Sequence, residues 1–190
     1  MSRFRVVVGI SGASGAAIAV RIVERLAALD VVNIHLVVTD AARRTLDHEA
    51  GADALPRTVA LSACAHRIGD IGAAIASGSF QTAGMIVAPC SMRTLAAVAG
   101  GLADTLLVRA ADVHLKERRR LILMARETPL HLGHLRNMCA VTEMGAIVMP
   151  PVPAFYHRPE SVAEIVDHLA ARAIDMLALP LPPLAKAWQG

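Results

Sequence analysis

Five stretches of this chain carry residue types suited to chemistry on a phosphorylated ligand. In Gly9-Ile10-Ser11-Gly12-Ala13-Ser14-Gly15, glycines let the backbone approach an anion, and N–H groups at a following helix start attract it. The glycines fall three apart, which is not G-x-G-x-x-G, and no Gly-Lys-Ser/Thr follows, so neither common nucleotide motif is present. A plain strand-to-helix turn with a serine cap fits these residues equally well. Pro89-Cys90-Ser91-Met92-Arg93-Thr94 offers two hydroxyls and a second helix start, and its alternative is again an ordinary Ser91 cap. Arg109-Ala110-Ala111-Asp112-Val113-His114-Leu115-Lys116-Glu117 reads as a solvated charge run, except that Arg109 and Asp112 stand among small apolar residues, as a half-buried charge pair would. Arg126-Glu127-Thr128-Pro129 combines a cation for anion binding with a carboxylate for proton transfer, or else forms a surface ion pair. In Pro153-Ala154-Phe155-Tyr156-His157 the prolines stiffen the approach and hold the Tyr156 hydroxyl at a fixed place.

Other chemistries are poorly supported. Cys64, Cys90 and Cys139 show no paired spacing, which points away from a disulfide framework or a zinc site and toward a reducing, cytoplasmic setting. His131 and His134 lie three apart without an H-E-x-x-H pattern or a carboxylate partner, and read as structural. The net charge of +3 comes from scattered basic residues not interleaved with aromatics, which points away from nucleic acid. No run of ~18 apolar residues crosses a membrane, and the first residues lack the apolar core of a signal peptide. With 55 % hydrophobic and 18 % charged residues, the chain has ample apolar surface for a core and for interfaces between copies, so a homo-oligomer is expected.

These residues need a scaffold, and the hydrophobic pattern supplies one. Strands are predicted at Arg5–Ile10, Asn33–Thr39, Met85–Ala88 (stopped by Pro89), Leu121–Ala125 and Ala146–Met149. Helices are predicted at Ala16–Leu29, Ala41–Glu49, Met92–Ala99, Leu130–Met144 and Glu160–Leu179, while 52–77 is mixed. Strands alternating with helices imply a single-domain, Rossmann-like (flavodoxin-like) α/β fold, with a doubly wound parallel sheet and helices on both faces. The expected domain is 1–178, followed by a proline-rich extended tail, 179–190. Ligands on such sheets sit beyond the C-terminal ends of the strands, where most of the five stretches fall.

In this order the motifs resemble the UbiX-type flavin prenyltransferases. The likeness rests on Gly-Ile-Ser-Gly-Ala-Ser-Gly, Ala76-Ser77-Gly78-Ser79-Phe80, Pro-Cys-Ser-Met-Arg-Thr, Arg-Ala-Ala-Asp-Val-His-Leu-Lys-Glu, Arg-Glu-Thr-Pro-Leu and Pro-Pro-Val-Pro-Ala-Phe-Tyr, from Val6 to about Leu177. It implies metal-free transfer of a dimethylallyl group from dimethylallyl monophosphate to N5 and C6 of reduced FMN. The product is the cofactor of a separate UbiD-type decarboxylase, and the assembly is a dodecamer with sites between subunits. The resemblance also implies FMN contacts for Gly12, Ala13, Ser14 (near N5), Thr39 (usually Ser), Ser91, Met92, Arg93, Thr94 and Arg126. It implies a prenyl-phosphate site of Arg109, Lys116, Tyr156 and Arg172. Glu49 falls near the reacting centre, Glu127 handles protons, and Ser14, Lys116 and Tyr156 complete the catalytic set. Asp40, Ile71 and Arg136 depart from common residues of the family. Related oxidative cysteine decarboxylases carry a Pro-x-Met-Asn-x-x-Met-Trp segment, which is absent here. A nicotinamide-binding protein using Asp40 for a ribose, and a non-catalytic flavin carrier, stay open as alternatives.

Overall fold

The computed structural model describes residues 3–188; both ends of the expected domain and tail, 1–2 and 189–190, lie outside the described residues. The order of elements is β1 (Phe4–Ile10), α1 (Ala16–Ala27), β2 (Val32–Val38), α2 (Asp40–Ala50), α3 (Ala54–Ala60), β3 (Cys64–His66), β4 (Gly84–Cys90), α4 (Met92–Ala99), α5 (Leu106–Lys116), β5 (Arg120–Ala125), α6 (Leu132–Glu143), β6 (Ile147–Val148) and α7 (Val162–Asp175). The six strands form one sheet in the order β3-β2-β1-β4-β5-β6, and every pair is parallel. The order reverses between β1 and β4, so the switch-point crevice of this doubly wound sheet lies beyond their C-terminal ends.

Both faces of the sheet are covered, which is why its central strands are apolar throughout instead of alternating. Val6, Val8 and Ile10 face one layer, formed by α1 and α7 with Ala42, Leu46 and Ala54 of α2 and α3. Val7, Val37, Met85 and Val87 face the other, formed by α4, α5 and Val141 of α6.

Four stretches differ from the sequence expectation. Met85–Ala88 extends to Gly84–Cys90, because the strand passes through Pro89 with a register irregularity between Val87 and Cys90 that absorbs the missing N–H. The mixed stretch contains α3 and the three-residue edge strand β3. The charge run forms α5, whose Leu106, Leu107, Ala110, Ala111, Val113 and His114 are buried. The last helix ends at Asp175, before a turn in which Ala178 takes φ 52°. Beyond it the described residues form neither helix nor strand but fold back on α7, where the Asp175 carboxylate accepts from Leu184 N (2.7 Å) and Ala185 N (3.1 Å). Among the described residues no helix is long and apolar enough to cross a membrane.

Candidate functional site at the switch point

The ends of the four central strands are tied to one another. Ser11, which is buried, donates its hydroxyl to Pro89 O and accepts from Ser91 N, both at 2.8 Å, so β1 and β4 leave the sheet as one unit. Thr39 N donates to Ile10 O and Arg126 N to Cys90 O, each at 3.0 Å. Ser11, Thr39, Ser91 and Arg126 are therefore positioned by main chain rather than by flexible loops. Ser11 is a residue the sequence reading did not single out. Its signal was its place immediately after a buried strand.

The glycine turn does not end as the sequence suggests. Gly15, at φ 112°, occupies the cap position of α1 without a side-chain cap, a conformation glycine adopts at little cost. The first donors of the helix, Gly15 N and Ala16 N, both give their protons to Glu49 Oε2 at 2.8 Å. A carboxylate from α2 thus takes the place expected for a ligand's phosphate, satisfying the helix start electrostatically. Burial pushes the Glu49 carboxyl up, but hydrogen bonds from the Ser14 hydroxyl and the Gly15 and Ala16 amides, with the Arg126 charge, outweigh it and hold the group below the usual carboxylate range. Ser14, Glu49 and Arg126 so form one cluster, with Glu49 anionic at neutral pH.

Anion-seeking donors remain beside it. Gly12, Ala13 and Ser14 N–H donate to no acceptor among the described residues, nor do Met92 and Arg93 N–H at the start of α4. Ser91 caps that helix, accepting from Thr94 N and donating to the Thr94 hydroxyl at 3.1 Å. Thr39 caps α2 through Ala42 N at 3.1 Å. Arg126 forms no salt bridge with a described residue. Two rows of unpaired amides, three hydroxyls and one cation suit a phosphate with an attached ring bearing hydrogen-bonding edges. The side chain of Arg93 turns away to Asp104 at 3.3 Å, leaving its amide for the site. Asp40 is 87 % exposed beside Arg43, so its charge points to solvent and not into the crevice.

Other expected site residues stand apart from this cluster. Arg109 pairs with Asp112 at 3.0 Å, each 38 % exposed, the half-buried pair the sequence foretold. Lys116 ends α5 at the opposite edge of the sheet, where its ammonium pairs with Glu117 against Gly78. Arg120, four residues on, is in register with Gly84, the first residue of β4, whereas Ser91 follows its last. The strand between them makes the separation on the order of 20 Å. Glu127 is exposed, its carboxylate accepting from Thr128 N at 3.1 Å. Tyr156 packs edge-on against Trp188 with ring centres 5.2 Å apart. Its neighbour His157 meets His168, one helical turn before Arg172, and Arg172 lies 3.8 Å from Asp175. His131 caps α6 through Gly133 N and stacks on His134, the structural role expected.

A doubly wound parallel sheet with amide rows and the Ser14–Glu49–Arg126 cluster at its switch point has the form of an α/β protein that binds a phosphorylated ligand. Residues 1–174 match the family model described as Flavoprotein. A relative called flavin prenyltransferase UbiX, from Neisseria meningitidis, is 54 % identical over 98 % of this chain and 97 % of its own length. A dodecameric FMN-dependent UbiX-like decarboxylase from Escherichia coli O157:H7 superposes with a TM-score of 0.93 at 45 % identity, covering 98 % of this chain and all of that one. AnUbiX (PadA1), solved with FMN and dimethylallyl pyrophosphate, gives 0.91 at 43 % identity, covering 99 % of this chain and 98 % of that one. The chain belongs to the Flavoprotein family and, within it, to the UbiX-type flavin prenyltransferases.

Proposed function

We propose that this protein transfers a dimethylallyl group from dimethylallyl monophosphate to N5 and C6 of reduced FMN, in the cytoplasm, without a metal ion, and hands the product to a UbiD-type decarboxylase. The observation that carries this reading is the switch-point crevice, where unpaired amides adjoin the Ser14–Glu49–Arg126 cluster in a chain with whole-length likeness to flavin prenyltransferases. Bound reduced FMN supplies the nucleophilic ring atoms. Amides of Gly12 to Ser14 and of Met92 and Arg93, with the hydroxyls of Thr39, Ser91 and Thr94, hold and orient it. Arg126 would offset its negative charge, and Ser14, beside Glu49, is the residue assigned to the neighbourhood of N5.

Cleavage of an allylic C–O bond leaves a phosphate whose growing charge must be neutralised. Arg109, Lys116, Arg172 and the Tyr156 hydroxyl are the groups for that task, and supply electrostatic stabilisation of the kind a metal ion otherwise gives. Closing the second bond requires loss of a ring proton, and Glu127 is the base assigned to it. The distance between Lys116 and Ser14 within one chain supports sites completed by a second copy. So do the exposed Leu130, Leu132, Leu135, Val152 and Phe155, an apolar set suited to burial between subunits of a homo-oligomer such as a dodecamer.

Incubating the purified protein with reduced FMN and dimethylallyl monophosphate is expected to yield a flavin heavier by one C5H8 unit in mass spectra. FMN binding without adduct, with either the monophosphate or the pyrophosphate as donor, would favour a flavin carrier. Absence of flavin binding would sink the reading altogether.

The cradle also predicts a binding defect. A Cβ on Gly12 would overlap the Ala41 side chain and sit 3.1 Å from its carbonyl carbon. Ala41 belongs to the first turn of α2, so the helix carrying Thr39 and Glu49 must shift. Gly12→Ala is expected to weaken FMN binding roughly tenfold, in line with overpacking costs of 1–3 kcal/mol. Quenching of flavin fluorescence on titration measures it, and an unchanged affinity would remove Gly12 from the cradle.

A further inference from the structure

The sheet register creates a group of side chains that sequence spacing did not reveal. His35 in β2 is the register partner of Cys64 in β3, and His66 lies two residues further along β3. Register partners share a face, and residues two apart on a strand return to it. All three side chains therefore project to the α5 side of the sheet at its edge. His35 Nδ1 and His66 Nε2 are 3.0 Å apart, and Cys64 Sγ lies 3.8 Å from His66 Nδ1. One donor atom from each residue can be chosen so that all three lie within 4.8 Å of one another, and all three side chains are half-buried.

We propose that His35, Cys64 and His66 form a binding site for a divalent cation of zinc type, separate from the flavin crevice. The ligand set is one zinc favours, two imidazoles and a thiolate, with the remaining position open to water. Tetrahedral zinc with Zn–N bonds near 2.0–2.1 Å separates two ligating nitrogens by about 3.3 Å, close to the 3.0 Å already present. Side-chain rotation alone therefore opens the site, because two paired strands already fix the Cα positions. An imidazole binds metal in its neutral form. Arg5 opposes a cation, but its guanidinium is held over the Phe80 ring at 4.6 Å. Asp70, whose charge reaches His66, and the Cys64 sulfur, which binds as a thiolate once its thiol proton is released to solvent, offset it.

The ion would tie β3 to β2. β3 is a three-residue edge strand paired on one side only, the kind of element that otherwise frays. The site lies back along the strands from Thr39, away from the flavin crevice.

Cobalt(II) tests the assignment, using untagged, chelator-treated, reduced full-length protein. Saturable uptake of one ion per chain is expected, with a near-ultraviolet thiolate-to-cobalt absorption and displacement by zinc. Cys64→Ser should lose that absorption, whereas Cys139→Ser, at the exposed cysteine, should keep it. His35→Ala and His66→Ala should each weaken binding by more than the ~10-fold that loss of an outer-shell partner costs. Lack of saturable binding by the wild-type chain would overturn the proposal, whatever the variants do. So would an absorption that persists in Cys64→Ser.

Discussion

Lys116→Ala and Ser14→Ala proteins are each expected to lose prenyl transfer by ~100-fold or more, and a mixture reassembled from the two is expected to recover activity. The reason is geometric. Ser14 lies at the C-terminal edge of the sheet beside Glu49 and Arg126, while Lys116 lies at the N-terminal edge beside Glu117 and Gly78. The length of the central strands, with β1 and β4 stitched at their ends by Ser11 and Pro89, stands between them, and no side-chain rotation spans that distance. If both residues act at one reaction centre, they come from different copies. In a randomly reassembled oligomer a site takes an intact Ser14 from one chain and an intact Lys116 from another in about a quarter of cases. Recovery toward a quarter of wild-type turnover after mixing, dissociation and reassembly is the expected reading. Glu127→Gln mixed with Ser14→Ala asks the same of the proposed base. A mixture as inactive as its parents would mean that Lys116 does not serve a neighbour's site.

Much of this architecture is legible in the residues, for physical reasons that also explain what is not. The run Val6-Val7-Val8 before a glycine turn reads as a buried strand because both faces of the sheet are covered. The hydroxyl and glycine segments follow strands, so the switch-point rule gathers them before any coordinate is known. α5 was hidden because Arg109, Asp112, Lys116 and the following Glu117 dominate the charge run, where the buried positions are Ala110, Ala111, Val113 and His114, while Leu106, Leu107 and Val108, also buried, precede it. Alanines give little hydrophobic periodicity, and a buried histidine reads as polar. The Glu49 cap of α1 joins residues more than thirty apart through a tertiary contact, which no local pattern carries. The His35–Cys64–His66 group depends on the register of an edge strand too short to announce itself. Motif likeness could name Lys116 as a site residue, but its remoteness from Ser14 required knowing which way α5 runs.

Acid is expected to unfold the protein in a window set partly by His114, a residue with no part in the flavin site. Its ring is fully buried, with Nδ1 2.7 Å from Ala110 O and Nε2 2.9 Å from the Thr82 hydroxyl. Nδ1 must then carry the proton, leaving Nε2 to accept from Thr82. Burial pushes the imidazole down to about 4, aided by the Arg119 charge and opposed by the Ala110 and Gly84 backbone. In the unfolded chain the ring takes up a proton as pH falls through its ordinary 6.5, whereas in the folded chain it does so only near 4. Across that window the unfolded state binds more protons, so stability is complete above 6.5, falls as pH falls, and has lost this contribution by about 4. A shift of that size corresponds to about 3 kcal/mol. His35 and His66 titrate in the same direction, so the measurement is a difference. Urea unfolding of wild type and His114→Gln, at one protein concentration from pH 7 to pH 4, should show the shallower pH dependence in the variant. Equal slopes would remove His114 from this role. The same network reaches the proposed prenyl-phosphate site: Arg119 donates to Phe80 O, to the Thr82 hydroxyl and to Gly78 O. It thereby holds Gly78 against Lys116 and Glu117, and protonation of His114 would push on Arg119 with a like charge. Prenyl transfer in wild type should therefore fall over the same acid window more steeply than in His114→Gln.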